Sequence, residues 1–178
     1  MAQGAWRRLD RALWGQAVKA STVLFWTVLV CFFFGAQALL NGGLVRGVPP
    51  ALEGRSLDGK PFVWSDFQGR PAVVYFWATW CPVCSAMQGS IKAVAADYPL
   101  VSVALQSGSE AEVARYLREK DFSVRVVLDE DGSLAERYGL RGVPALFVLD
   151  PAGRIRFAAS GYTTEIGMRL RLWWAGTF

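Results

Sequence analysis

The chain has 178 residues, with 19 Lys and Arg against 15 Asp and Glu, a formal charge of +4 and three cysteines. Histidine is absent, which excludes Ser-His and Cys-His nucleophilic sites and His-ligated metal centres. Three cysteines in a chain this long are not the dense, even pattern of a small secreted scaffold, so the core must come from apolar burial.

In chain order, residues 1–19 hold Arg7, Arg8, Arg11 and Lys19 against a single acid, Asp10. The rest is nearly neutral, so the basicity is a terminal topology signal and no nucleic-acid partner is expected. Residues 20–40, ASTVLFWTVLVCFFFGAQALL, carry no charge. As a helix they extend about 31 Å at ~1.5 Å per residue, against a bilayer core of about 30 Å. A transmembrane signal-anchor helix is predicted over 20–40. The positive-inside rule then leaves 1–19 in the cytoplasm and the remainder across the membrane. Ala36-Gln37-Ala38 matches an A-x-A cleavage pattern, but the apolar run continues through Leu39 and Leu40, which favours a retained anchor. Cys31 lies within this run and reads as a small apolar side chain without a redox role.

Residues 41–50, NGGLVRGVPP, have the glycines and prolines of an exposed linker, and the globular domain is expected over 51–178. Leu57-Asp58-Gly59-Lys60 predicts a hairpin turn between strand-like residues 52–56 and 62–64. A brief helical turn is expected at Asp66–Gly69. Ala72–Trp77 is apolar on both faces, as a central strand of a covered sheet must be. A helix is predicted over Pro82–Asp97, with Met87, Ile91, Val94 and Ala95 on one face. A strand at Leu100–Leu105 precedes a helix capped by Ser109, with Glu110 and Glu112 in its first turn and Val113, Tyr116 and Leu117 at helical spacing. A strand at Val124–Leu128, a short helix at Ser133–Tyr138, and strands at Ala145–Leu149 and Ile155–Ala159 follow. A last helix over Thr163–Trp174 has no clear apolar face. Strands alternating with helices predict an α/β fold around a mixed sheet.

The chemistry concentrates at Cys81-Pro82-Val83-Cys84, where a buried strand ends and a helix begins. The nucleophile of disulfide exchange is the thiolate, and a helix N-terminus lowers a thiol pKa. Cys81 is expected there, exposed, as the attacking sulfur. Cys84, one turn further in, is the buried resolving partner, close enough for a Cys81–Cys84 disulfide. Pro82 suits the first helical turn. A zinc site would need further ligands that the domain lacks, so no metal is expected. Val143-Pro144 opens a later strand, where a cis peptide beside the dithiol would leave the backbone of Val143 free to pair with a substrate strand.

These motifs together resemble the thioredoxin superfamily. Trp77-Ala78-Thr79-Trp80-Cys81-Pro82-Val83-Cys84, the Leu57–Lys60 hairpin, Val127-Leu128-Asp129 and Gly142-Val143-Pro144 are most similar to the membrane-anchored TlpA/ResA-like proteins, and within them to the ScsD branch associated with suppression of copper sensitivity. The resemblance covers roughly residues 49–175. It implies a thioredoxin-like fold, a central mixed sheet flanked by helices, with an added N-terminal β-hairpin and a cis Pro144. It further implies a protein disulfide oxidoreductase at the periplasmic side of a bacterial inner membrane, needing no cofactor. Protein thiols and disulfides would be its substrates, and a membrane protein would donate or accept the electrons. Trp80, Pro82, Val83, Val143 and Pro144 would contact substrate. Two positions depart from the family. Thioredoxin has a buried aspartate six residues before the first cysteine, where this chain has Tyr75. Many TlpA/ResA-like reductases have a glutamate three residues after the second cysteine, where this chain has Met87. Other readings are a cytochrome c maturation reductase and a copper-handling protein holding Cu(I) on the two thiolates. A peroxidase reading meets Ala78 where peroxiredoxins have threonine.

Overall fold

The computed structural model describes residues 22–33, 35, 42–52, 56, 57, 59, 62 and 67–178. The chain divides into two units, Met1–Leu40 and Asn41–Phe178. In the first, residues 22–33 and 35 form a helix, α1. Its described side chains are exposed, with large apolar groups from Val23 to Phe33. Among the described residues no helix is long and apolar enough to cross a membrane. The ends of the span expected over 20–40 lie outside the described residues.

The second unit carries β1 (Ala72–Trp77), α2 (Pro82–Asp97), β2 (Leu100–Leu105), α3 (Glu110–Glu119), β3 (Arg125–Asp129), α4 (Ser133–Arg137), β4 (Ala145–Leu149), β5 (Ile155–Ser160) and α5 (Glu165–Thr177). The five strands form one sheet in the order β3-β2-β1-β4-β5. β1, β2 and β3 run parallel. β4 is antiparallel to both β1 and β5. The expected mixed sheet is therefore present, with β1 at its centre and wholly buried.

Side chains alternate across β1 and divide the core in two. Val73, Tyr75 and Trp77 pack with Cys84, Met87, Ile91 and Val94 of α2, and with residues of α3 and α5. Val74 and Phe76 pack on the other face with Leu134 and Ala135 of α4, Tyr138, Leu44, Leu52 and Phe67. The helix α3 starts as expected: Ser109 accepts from the Glu112 N–H, and the Glu112 carboxylate accepts from the Ser109 N–H, a complete capping box. These hydrogen bonds hold the Glu112 carboxyl below its ordinary range. β3 runs one residue further than expected, to Asp129. The Asp129 carboxylate accepts from the N–H groups of Leu134 and Ala135 at 3.0 and 2.9 Å, so strand end and helix start are built together.

The segment expected as an exposed linker over 41–50 is docked instead. Val45 N–H donates to Tyr138 O, and Gly47 and Ile155 form an isolated antiparallel bridge. The Tyr138 hydroxyl donates to Pro50 O at 2.9 Å, and Leu44 is buried. At the crossing, a Cβ on Gly139 would stand 1.9 Å from the Gly43 carbonyl oxygen, so the approach requires glycine. Glycine and proline content points to an exposed linker here; burial of Leu44 and the bonds to Tyr138 and Ile155 supply the reason it is docked. Most of the predicted hairpin, residues 53–55, 58, 60, 61, 63 and 64, lies outside the described residues. Of its parts, Ser56 bridges Val127, and Gly59 N–H closes a turn on Ser56 O.

Candidate active site

β1 ends on Trp77; buried Ala78, the turn residues Thr79 and Trp80, and then Cys81 lead into α2 at Pro82. Cys81 is the N-cap of α2, in extended conformation, and Pro82 occupies the first turn. The Cys81 sulfur accepts from the Cys84 N–H at 3.1 Å. No acidic side chain lies in the first turn, so the helix itself carries no charge that offsets its positive end at this sulfur. Cys81 and Cys84 are joined as a disulfide with Cα atoms 5.3 Å apart.

Cys84 is fully buried, as expected, but Cys81 is only 4% exposed, against the expectation of an open sulfur. The cause is the loop before β4. Cys81 Sγ lies 3.7 Å from the Val143 carbonyl oxygen, and the Val143–Pro144 peptide is cis. The exposed surface passes to the flanking apolar side chains, Pro82, Val83 at 42% and Trp80 at 60%. Pro144 is buried, and its carbonyl accepts from the Gly161 N–H at 2.8 Å. Trp80, Pro82, Val83, Val143 and Pro144 are thus placed around one disulfide or in the loop that faces it.

Other residues, which carry no motif in the sequence, shape the rim. Trp80 Nε1 donates to the Gln106 carbonyl at 3.0 Å, which fixes the indole. Gln106 sits at φ +42°, uncommon for a residue with a side chain. Ser107 Oγ accepts from the Thr79 N–H at 3.1 Å and donates to Leu105 O at 3.0 Å. The loop after β2 therefore holds the turn that presents the disulfide. Its only signal in the sequence was the Gln-Ser-Gly-Ser run. Tyr162, exposed, follows the Gly161 that is bonded to Pro144.

Beneath the disulfide the core is aromatic. Trp77 Nε1 donates to Ser102 Oγ at 3.1 Å. Tyr75 is fully buried, and its hydroxyl has no hydrogen-bond partner. Burial raises its pKa well above the ordinary tyrosine range, and the Tyr116 phenol adds to the rise.

Residues 46–158 match the AhpC/TSA family. A thioredoxin-like protein of Haemophilus influenzae is 37% identical over 112 residues, 62% of this chain and 66% of that protein. The thiol-disulfide oxidoreductase ResA of Oceanobacillus iheyensis is 30% identical over 105 residues, 56% of this chain and 54% of that protein. The matches thus span between about half and two thirds of the length of these curated relatives. Among solved structures, MTB DsbF in its mixed oxidized and reduced forms is similar with a TM-score of 0.63 at 26% identity, covering 72% of this chain and 100% of that one. The fold is thioredoxin-like, and with well over half its length matched the chain belongs to the AhpC/TSA family.

Proposed function

We propose that this protein is a thiol–disulfide oxidoreductase that exchanges disulfides with protein substrates through Cys81 and Cys84. The observation that carries the reading is the Cys81–Cys84 disulfide at the N-terminus of α2, facing Val143 and Pro144 within an exposed apolar rim. Cys81 is the attacking sulfur. Reduced, its thiolate attacks a substrate disulfide; a bond forms between Cys81 and one substrate sulfur, and the other substrate sulfur leaves as a thiolate. Cys84, as thiolate, then attacks Cys81 Sγ, restores the internal disulfide and releases the second substrate sulfur. Run in reverse, the same two steps oxidise a substrate dithiol. Trp80, Pro82 and Val83 give the substrate an apolar seat, and the Val143 backbone pairs with it beside Pro144.

We further infer an anchored protein of a bacterial inner membrane, with residues 1–19 cytoplasmic, residues 20–40 in the membrane and the catalytic unit periplasmic. The basic residues of 1–19, the uncharged stretch 20–40 and the exposed apolar surface of α1 support this. A membrane protein that donates or accepts electrons then completes the cycle. The motif from Trp77 to Cys84 supports placement in the ScsD-like branch and a part in redox homeostasis under copper stress.

The test is exchange with glutathione. Oxidised protein incubated in glutathione buffers is expected to reach a measurable dithiol–disulfide equilibrium, which Cys81→Ser abolishes. In intact cells Cys84→Ala is expected to accumulate mixed disulfides between Cys81 and protein substrates. Wild-type protein that never exchanges with glutathione would defeat the proposal.

A further inference from the structure

Among the described residues, the Tyr75 hydroxyl is the buried side-chain polar group without a hydrogen-bond partner. Native proteins leave few such groups, because an unpaired buried hydroxyl is destabilising. Its position is specific. Tyr75 alternates with Val73 and Trp77 on β1, so its side chain enters the core layer under α2. It shares that layer with Cys84, and both are fully buried. Gln88 follows Cys84 by one helical turn on the buried side of α2 and donates to the Tyr116 hydroxyl at 2.9 Å. Tyr116 in turn lies near enough to Tyr75 to influence its ionisation, and it also lines a cleft of about 190 Å³ with Thr79 and Ser107. Tyr75 therefore belongs to a small polar group under the first turns of α2, in a layer that is otherwise apolar.

This layer receives charge when the disulfide opens. An incoming thiolate attacks Cys81 Sγ and forms a new S–S bond there. The Cys81–Cys84 bond breaks, and its electron pair goes to Cys84 Sγ. The resulting thiolate has no water around it and is costly without a donor. Met87, the next buried residue of α2, supplies none.

We propose that the Tyr75 hydroxyl is the hydrogen-bond donor that receives the Cys84 thiolate when the disulfide opens, and that it stands unpaired in the oxidised form because its partner exists only in the reduced one. This rests on the oxidoreductase reading above. Burial keeps the phenol protonated, so Tyr75 donates a hydrogen bond and its proton stays on oxygen. The bond favours the reduced state and makes the disulfide easier to reduce. It also holds Cys84 as the anion that resolves a mixed disulfide.

The experiment compares wild-type protein and Tyr75→Phe in glutathione redox buffers. Removing the hydroxyl keeps the ring in the core. The equilibrium constant for reducing the disulfide is expected to fall about tenfold, a shift of ~30 mV to more negative potential. The thermal midpoint of the oxidised variant is expected to be no lower than that of wild type, because the lost group was unpaired there. A merely structural role would lower that midpoint and leave the potential alone. In wild type itself, the tyrosine hydroxyl doublet in the oxidised-minus-reduced Raman difference spectrum is expected to shift towards the strong-donor ratio. An unmoved potential in Tyr75→Phe, or a flat difference spectrum, overturns this proposal alone. Wild-type protein that does not equilibrate with glutathione overturns the oxidoreductase reading and this proposal with it.

Discussion

Cys81 draws its character from two places far apart in the sequence. Position at the α2 N-cap favours the thiolate through the free N–H groups and the dipole, while Val83, the residue between the cysteines that could add a donor, is apolar. The reduced Cys81 thiol is therefore expected to titrate below the free-cysteine value of ~8.5 yet well above the ~3.5 of the most oxidising relatives of this motif. Thiolate ultraviolet absorbance against pH checks this, and a midpoint under about 4 would refute it. The two cysteines, Pro82 and Pro144 were legible in the sequence because spacing and residue type suffice to mark them. The near-complete burial of Cys81 was not, because the carbonyl that covers it comes from Val143, 62 residues away. Tyr75 stands out in the sequence as a departure from the family, but the isolation of its hydroxyl depends on every neighbour in the core. Gly139 illustrates the same limit. Its φ of +70° fits many turns, but the Gly43 oxygen against it is a tertiary fact. Gly139→Ala is expected to lose roughly 1–3 kcal/mol by urea denaturation, from the left-handed backbone and the contact together.

At the scale of elements, β1, α2, β2 and β4 begin and end where their sequence pattern places them, each bounded by turn or capping residues. The buried face of the final helix is not legible in its sequence. Met168, Leu172 and Ala175 face the core while Ile166, Leu170 and Trp173 are exposed, and apolar residues on both sides hide the periodicity. Packing decides the face, with Met168, Leu172 and Ala175 joining the layer of α2. The start of α5 is a local matter: Thr164 Oγ1 accepts from the Gly167 N–H at 3.1 Å. Thr164→Ala is expected to cost about 1 kcal/mol of stability, and a Ser replacement to recover most of it. Equal urea midpoints for all three proteins would show that this cap contributes nothing.

At the scale of the molecule, three carboxylates among the described residues have folded pKa values lowered by local partners. Glu112 is held by Ser109, Asp121 by Lys92 and Asp131 by the Ser133 N–H. A lowered pKa in the fold means that the native state binds protons less readily than the unfolded chain. Their stabilisation is thus fully present above the ordinary carboxylate range near pH 4 and is lost as pH falls through the folded values. The thermal midpoint is expected to be flat from about pH 7 to pH 5 and to drop by pH 3. All three groups are exposed, so the change is modest, and added salt is expected to shrink the share due to Lys92 and Asp121. A midpoint indifferent to acid would refute the assignment.

The docking of residues 43–52 against Tyr138, Arg137 and Ile155 has a consequence for reach. Ten free residues would add up to about 35 Å of extended chain, at ~3.5 Å each, between the catalytic unit and whatever holds it. Fastened to the sheet edge, that stretch contributes almost none of it. In the anchored protein proposed above, the volume the disulfide sweeps would be smaller, and a partner held in the same membrane would meet it at a higher effective concentration than a loose tether gives.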